Sequence, residues 1–106
     1  MELTVSQTQT KNEDLAAADN CSRLHLYNMR SIAPTYAMEW DSARLDSINH
    51  LLYVKPGQWK RSSSKEARNF SSIAFNYGRT LADSLECHVG IICNAVGGSG
   101  CENWID

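Results

Sequence analysis

Between positions 69 and 86, apolar residues return every three or four positions, which is the period of an amphipathic helix. Polar side chains occupy the opposite face of that helix. The apolar stripe consists of Phe70, Ile73, Ala74, Tyr77, Leu81 and Leu85. We therefore predict a helix over residues 69–86 that packs this stripe against a core.

An unbroken apolar run follows at residues 89–96, after a short turn at Cys87 and His88. Apolar residues at successive positions, rather than at alternate ones, are typical of a strand covered on both faces in a parallel sheet. A helix followed by such a strand is the second half of a β-α-β unit. The pattern therefore predicts an α/β protein with a parallel sheet.

The first strand of that unit is predicted at residues 23–29, where Leu24 and Leu26 share one face. Upstream, residues 10–20 contain good helix formers and acidic residues near the start, which predict a short helix with Asn12 as its cap. Two strands and at least two helices are thus expected.

Residues 30–66 are rich in turn signals and predict only a short helical piece around residues 42–52. The composition is that of a globular protein: 106 residues, 42% hydrophobic and 21% charged. Two helices cannot cover both faces of a parallel sheet well. We expect exposed apolar sheet surface unless a partner chain or further sequence covers it, so a homo-oligomer through that surface is a candidate.

The formal net charge of −2 argues against a protein that binds nucleic acid electrostatically. The basic residues are dispersed, and a solvated loop explains their one loose cluster better. That cluster comprises Lys55, Lys60, Arg61, Lys65 and Arg68. No stretch approaches the length of a transmembrane helix, so no membrane partner is expected.

A glycine-rich turn at residues 97–100 directly follows the apolar run. In α/β proteins the end of such a strand and the positive end of the next helix meet there, which favours anionic or oxyanionic groups. A tight turn without a ligand is the simpler interpretation of Gly97 and Gly98 taken alone. Residues 97–101 also resemble the G-x-S-x-G nucleophile elbow of α/β-hydrolases, but Cys101 occupies the position where that motif needs glycine. Ser99 is therefore better assigned to hydrogen bonding with the backbone.

The cysteine spacings fit neither a zinc ribbon nor a redox C-x-x-C pair, so neither a metal nor a cofactor is predicted. The four cysteines are Cys21, Cys87, Cys93 and Cys101. Cys93 is most simply a small buried hydrophobe in the strand. A nucleophilic role for Cys101 is disfavoured because no histidine stands beside it in sequence. A disulfide between two of the four stays open.

The C-terminal segment resembles the SGNH-type carbohydrate esterases, and within them the sialate O-acetylesterase branch, whose strand and turn read V-G-L-I-N-A-x-x-G-G-T/S-x-x-E-x-W. The matching residues are Val89, Gly90, Ile91, Ile92, Asn94, Ala95, Gly97, Gly98, Ser99, Glu102 and Trp104. Residues 70–81 are similar to the family's F-S-x-x-A-x-x-F-G-x-x-L helix. Residues 23–29 look, more weakly, like its I-R-L-F strand.

The resemblance implies a three-layer α/β/α (flavodoxin-like) fold with a parallel sheet and ester hydrolysis by a serine nucleophile and a histidine base. Such enzymes hold the negative oxygen of the tetrahedral intermediate with donors already in place. Aligned on the glycine turn, Gly97 would donate its N–H to that oxygen, while Gly98 and Ser99 shape the substrate-binding turn. Trp40 or Trp59 could stack on a sugar ring, although anchoring an irregular loop is the commoner use of such residues.

Two catalytic parts of that family are not found in this sequence. Its nucleophile motif is G-Q-S-N-M-E, and the sequence opens Met1-Glu2-Leu3, just after the position of the serine. None of the three histidines lies in the D-x-x-H pattern that supplies the base. We therefore expect residues 1–106 to be the N-terminal half of an SGNH-hydrolase domain that lacks the nucleophile strand and the C-terminal histidine block, and to be inactive alone.

The resemblance makes an O-acetylated sugar the substrate of the parent enzyme, with sialic acid the first choice. The parent family is often periplasmic or secreted, while the location of this chain is left open. The alternatives from other classes are a non-catalytic remnant or an anion-binding or ligand-binding α/β module, and a stand-alone domain that dimerises.

Overall fold

The computed structural model describes residues 3–30, 41–50, 52 and 54–94. After a 3₁₀ turn at Val5–Gln7, the elements are α1 (Lys11–Asn20), β1 (Leu24–Asn28), α2 (Ser42–Asn49), β2 (Lys60–Arg61), α3 (Ser64–Ala67), α4 (Ser72–Leu85) and β3 (Val89–Cys93). The sequence pattern predicted α1, β1, α2, α4 and β3. It did not predict the short elements β2 and α3.

The sheet is built around β1, which pairs with β3 in parallel and with β2 antiparallel. In the parallel register, Leu24 lies opposite Val89 and Asn28 lies opposite Cys93. Helix α4 precedes β3 and packs against both parallel strands. The predicted β-α-β arrangement is therefore confirmed, with an antiparallel edge strand added.

The core lies between one face of the sheet and the helices. Leu24 and Leu26 of β1 point into it and are almost fully buried. Residues from α1, α3 and α4 join the same cluster, so these helices cover the same face. The remaining buried apolar residues are Val5, Ala18, Cys21, Ala67, Phe70, Phe75 and Ala82.

Helix α4 packs on the core through a different face from the one that its apolar stripe predicts. Its buried residues are Ser72, Phe75, Gly78 and Ala82. The stripe residues Ile73, Tyr77 and Leu85 are instead exposed, with 59%, 62% and 62% of their surface accessible. The prediction that these three residues contact the core is wrong.

The reason for this rotation of α4 is the close approach that Gly78 permits. A Cβ placed on Gly78 would lie 2.6 Å from Cγ1 of Ile91 and 2.9 Å from Cδ1 of Leu24. Both distances are shorter than van der Waals contact, so the helix can lie this near the two parallel strands only with glycine at the contact. Packing against the sheet thus outweighs the burial of the larger side chains on the neighbouring helix face.

Side-chain caps begin two of the predicted helices. Asp41 accepts a hydrogen bond from the backbone N–H of Arg44 at 2.8 Å, and Ser71 starts α4 in the same way. Helix α1 begins after Thr10, whose hydroxyl donates to Asp14 at 2.8 Å. Asn12 lies inside the first turn of α1, so its assignment as the cap is wrong.

The other face of the sheet carries few contacts among the described residues. On β3, Val89, Ile91 and Cys93 are half-buried, while Gly90 and Ile92 are exposed. The burial of β3 on both faces, which its unbroken apolar sequence predicted, is therefore not seen among the described residues. The described parts of the chain form two layers, the sheet and one layer of helices. No helix within those parts is long and apolar enough to cross a bilayer.

Candidate functional site

The carboxyl ends of the two parallel strands lie side by side at one edge of the sheet. β1 ends at Asn28 and β3 at Cys93, and the N–H of Met29 donates to the carbonyl of Cys93 at 3.0 Å. Because ligands of open α/β sheets bind at this edge, we call it the carboxyl edge and treat it as the candidate site.

The glycine turn follows β3 in sequence, but its residues lie outside the described residues. This holds for Gly97, Gly98, Ser99 and Cys101, and also for Trp40. Their assignments to the oxyanion hole and the substrate site stay predictions. The structure describes the strand that precedes them, β3, which is parallel to β1 and ends beside it.

A cavity of about 260 Å³ opens at the carboxyl edge beside β1. Its floor is apolar because Leu26 and Phe70 are buried there. The segment 55–60 forms the other wall, and it is joined to the end of β1 by the N–H of Lys55, which donates to the carbonyl of Arg30 at 2.8 Å. We call this cavity the edge pocket; it is lined by Leu26, Asn28, Arg30, Lys55, Pro56, Gly57, Gln58, Lys60, Glu66 and Phe70.

Positive charge dominates the lining of the edge pocket. Three basic residues, Arg30, Lys55 and Lys60, line the pocket together with one acidic residue, Glu66. Lys60 donates to the side-chain oxygen of Gln58 at 3.0 Å. In the described ranges, ion pairs occur only within residues 41–50, so none of these three basic residues forms an ion pair there. The arrangement can attract an anion.

Sequence reasoning missed the edge pocket. It treated Lys55 and Lys60 as part of a solvated loop, and it did not single out Arg30. The available signal was the position of Arg30, two residues after the end of a predicted strand of a parallel sheet. The segment 55–60 brings Lys55 next to Arg30, although 25 positions of sequence separate the two residues.

Trp59 lies on the sheet face that the helices leave uncovered. Its ring meets Tyr27 edge to face at a centroid distance of 5.4 Å and lies over Gly90, where a Cβ would be 3.0 Å from Cη2. These contacts anchor segment 55–60 to the sheet. About half of the indole, 51%, stays exposed, and its stacking on a sugar stays a prediction.

The three histidines lie in or next to helices and strands. His25 lies in β1, His88 directly precedes β3, and His50 ends α2. The fold brings two of them together at the amino-terminal end of the parallel strands, with 3.2 Å between Nε2 of His25 and Nδ1 of His88. That end is opposite the carboxyl edge, so neither ring is placed to act on a ligand in the edge pocket.

The described cysteines differ in environment and are not bonded to one another. Cys87 is exposed, Cys93 is half-buried at the end of β3, and Cys21 is buried. Burial, and secondarily the negative charge of Asp83, raise the pKa of the Cys21 thiol above its usual value. Within residues 3–94 as described, no group of three histidine, cysteine or acidic side chains could hold a metal ion.

These features define a mixed α/β fold in which a parallel pair, covered by helices on one face, ends at a positively charged pocket. No protein-family model matches the chain, and no curated protein matches it. Among solved structures, the fold is similar to that of a carbohydrate acetylesterase from Xanthomonas citri, with a TM-score of 0.71 and 23% sequence identity. The match covers 100% of this chain and 21% of that protein, so this chain corresponds to part of a larger α/β fold.

Proposed function

We propose that this chain is part of a serine esterase of the SGNH type that removes O-acetyl groups from a carbohydrate. The observation that carries the proposal is the β1–α4–β3 unit, whose second parallel strand leads directly into Gly97, Gly98 and Ser99 in sequence. The fold likeness to a carbohydrate acetylesterase supports it independently of the motif. At 23% identity that likeness concerns the fold, so the chemistry rests on the motif residues.

The proposed reaction is a two-step acyl transfer. A serine hydroxyl attacks the acetyl carbonyl and gives its proton to a histidine, which then protonates the departing sugar oxygen. Water releases the acetyl group as acetate by the same route. Gly97 contributes the backbone N–H that holds the negative oxygen of each tetrahedral intermediate, because glycine allows the backbone to approach without a Cβ in the way.

The serine and the histidine are proposed to lie in sequence beyond these 106 residues. Neither the family's G-Q-S-N motif nor its D-x-x-H pattern is found among these 106 residues. The chain spans 21% of the carbohydrate acetylesterase that it matches, so a longer active protein has room for both. Sialic acid is the proposed sugar, on the resemblance to the sialate O-acetylesterase branch.

The test begins with the genomic DNA on both sides of the reading frame. An in-frame G-Q-S-N upstream and D-x-x-H downstream are expected, and the extended protein should hydrolyse p-nitrophenyl acetate while the 106-residue form does not. Neither motif in frame, or an extended protein without activity, would overturn the proposal.

Two variants of the extended protein test the role of Gly97. Gly97→Pro removes the backbone N–H, and kcat should fall by about 10²–10³, as for loss of one oxyanion donor. Gly97→Ala keeps the N–H and serves as the matched control for added bulk. Equal losses in both variants would assign Gly97 to the shape of the turn rather than to the oxyanion.

A second candidate function is a non-catalytic anion-binding module, which the positive lining of the edge pocket favours. This candidate requires binding of an anionic ligand with no ester hydrolysis by either the short or the extended form. A homo-oligomer through the exposed apolar sheet surface is a further proposal, supported by the exposure of Ile92 and Trp59 on the uncovered face. Light scattering of the purified chain tests it, because a strictly monomeric mass at high concentration would exclude self-association.

A further inference from the structure

We infer that the His25–His88 pair is a binding site for a divalent transition metal ion of the kind that imidazole prefers, such as Zn²⁺. The two rings supply two ligands and water supplies the others. The pair lies at the amino-terminal end of the parallel strands, away from the carboxyl edge, so the inference is independent of the proposed esterase function. It draws on the distance between the rings, the backbone that holds them and the groups around them.

The distance between the two ring nitrogens matches that of two ligands on one metal ion. Nε2 of His25 and Nδ1 of His88 are 3.2 Å apart. A zinc ion lies about 2.0–2.1 Å from an imidazole nitrogen, so two such ligands are about 2.9 Å apart at a right angle and about 3.4 Å apart at the tetrahedral angle. The observed separation lies between these two values. An ion can therefore contact both nitrogens once the rings turn their lone pairs towards it.

Without a metal ion, the two nitrogens share a hydrogen bond in which one ring donates and the other accepts. The donor ring must place its proton on its other nitrogen before both lone pairs can face the ion. Water can carry that proton, because His88 is exposed and His25 is only half-buried. Binding to the neutral pair thus exchanges one hydrogen bond for two metal–nitrogen bonds and releases no proton.

The sheet holds the backbone of both histidines in place. His25 lies opposite Gly90 in the parallel register, and His88 precedes that glycine by two residues, so all three lie on one face of the sheet. The N–H of Val89 donates to the carbonyl of Arg23 at 2.9 Å, which keeps His88 beside β1. Little backbone freedom is left to lose when an ion binds, and this favours binding.

The groups around the pair favour a transition metal ion over other cations. Within the described ranges, no third histidine, cysteine or acidic side chain joins the pair in a metal-binding group. Mg²⁺ and Ca²⁺ need oxygen ligands, whereas imidazole suits Zn²⁺, Ni²⁺ and Cu²⁺. Arg61 lies opposite His25 on β2, and its Nε donates to the carbonyl of Ser22 at 3.2 Å. Its positive charge disfavours cations that are held by charge alone.

An ion on the pair would act as a reversible cross-link between β1 and the residue that precedes β3. The two histidines are 63 positions apart in sequence. A link that closes so long a stretch of chain restricts the unfolded state and stabilises the folded one. An ion that binds only the folded pair also shifts the unfolding equilibrium by mass action. We therefore expect the metal to stabilise the parallel pair of strands.

The first experiment titrates the 106-residue chain with Zn²⁺ under reducing conditions and follows the imidazole signals by two-dimensional NMR. We expect the signals of His25 and His88 to shift together and to saturate at one ion per chain, while those of His50 do not follow them. The same concentration of Mg²⁺ should shift none of these signals. Rings of the pair that do not respond to Zn²⁺, or that respond equally to Mg²⁺, would overturn the inference.

Substitutions then assign the ligands by calorimetry. His25→Gln and His88→Gln should each weaken Zn²⁺ binding at least tenfold, because glutamine keeps a polar side chain but removes the imidazole. His50→Gln is the matched control, since the ring of His50 bonds to the carbonyl of Asp46 rather than to another histidine. Cys87→Ser removes the exposed thiol next to His88 and should leave the affinity unchanged. A tenfold loss in either control would overturn the assignment to the two imidazoles.

Urea unfolding with and without Zn²⁺ tests the cross-link. The ion should raise the midpoint more in the unmodified chain than in His88→Gln, which is expected to fold because position 88 is exposed. Comparison of the two chains cancels the binding of Zn²⁺ to thiols, which both contain. The same response in both chains would show that the ion does not join β1 to His88, and the cross-link would be refuted.

Discussion

Trp59 lies directly over Gly90, so that a Cβ on this glycine would come within 3.0 Å of the indole. The glycine belongs to β3 and the tryptophan to the segment that lines the edge pocket. The contact therefore links the sheet face to a pocket wall. It also makes the position of that wall sensitive to a single methyl group.

Gly90→Ala should displace the Trp59 ring by a few tenths of an ångström. The loss of stability should stay below about 1 kcal/mol, because the indole is half exposed and can move aside. The measurement is the indole N–H signal of Trp59 in an NMR spectrum, assigned with Trp59→Phe. An unchanged signal in Gly90→Ala would contradict the packing described.

Gly78→Ala should destabilise the protein although alanine is the better helix former. The helix gains about 1 kcal/mol of intrinsic propensity, whereas forcing a methyl group against Ile91 and Leu24 costs about 1–3 kcal/mol. The buried clash outweighs the propensity, so we expect a net loss of up to about 2 kcal/mol in chemical unfolding. Ser84→Ala, at an exposed position of α4, is the control and should be neutral or slightly stabilising. A stabilised Gly78→Ala would refute the close contact.

Ser62→Ala should cost about 1 kcal/mol, because the buried hydroxyl donates to the carbonyl of Ala18 at 3.0 Å and joins the end of β2 to α1. Ser47→Ala is a matched control, since its hydroxyl makes a similar bond to Ala43 on an exposed helix. Water replaces that exposed bond, so Ser47→Ala should change the free energy of unfolding little. Equal effects of the two substitutions in urea unfolding would argue against a buried Ser62.

The thiols should react in the order of their exposure. Cys87 is exposed, whereas Cys21 is buried and its pKa is raised, so alkylation at pH 8 should modify Cys87 well before Cys21. Mass spectrometry of tryptic peptides measures the order. In denaturant the difference should disappear, and a Cys21 that reacts first in the native protein would contradict its placement.

The raised pKa of Cys21 should lower the free energy of unfolding at alkaline pH. Because the folded state raises the pKa of Cys21, it binds the proton more tightly than the unfolded state, whose thiol has a pKa of about 8.5. The stability is unaffected below that value and decreases as the pH rises through the interval up to the folded pKa. Cys21→Ala should remove this part of the pH dependence in urea unfolding between pH 7.5 and 9.5. The same slope in both proteins would assign the dependence to other groups.

Most elements of the fold could be predicted from periodicity because each extends over several residues of consistent pattern. The buried face of α4 could not, since the apolar residues Phe75 and Ala82 lie beside the predicted stripe, and hydrophobicity alone does not choose between the stripe and its neighbours. Gly78 decides the choice through close approach, which a hydrophobic pattern does not register. The short strand β2 owes its conformation to pairing with β1 rather than to its two residues, Lys60 and Arg61.

The candidate site could be predicted only as far as its location at the end of the parallel strands. The glycine turn is visible in the sequence because its residues are contiguous. The edge pocket is not, because Arg30, Lys55 and Glu66 come from three separate parts of the chain. The backbone of segment 55–61 pairs with β1 and the residues after it, and this pairing brings them together. The spacing of these residues in the sequence does not predict that pairing.

The parallel pairing of β1 with β3 also determines how the chain must fold. Leu24 pairs with Val89, so β1 and β3 can form their hydrogen bonds only after the chain between these two residues has closed into a long loop. That closure carries an entropic cost before the long-range contacts can offset it, and such topologies fold more slowly than helical bundles of the same length. During this delay the edges of β1 are open to pairing with other chains. Slow dilution at low protein concentration should therefore refold this protein in better yield than rapid refolding at high concentration.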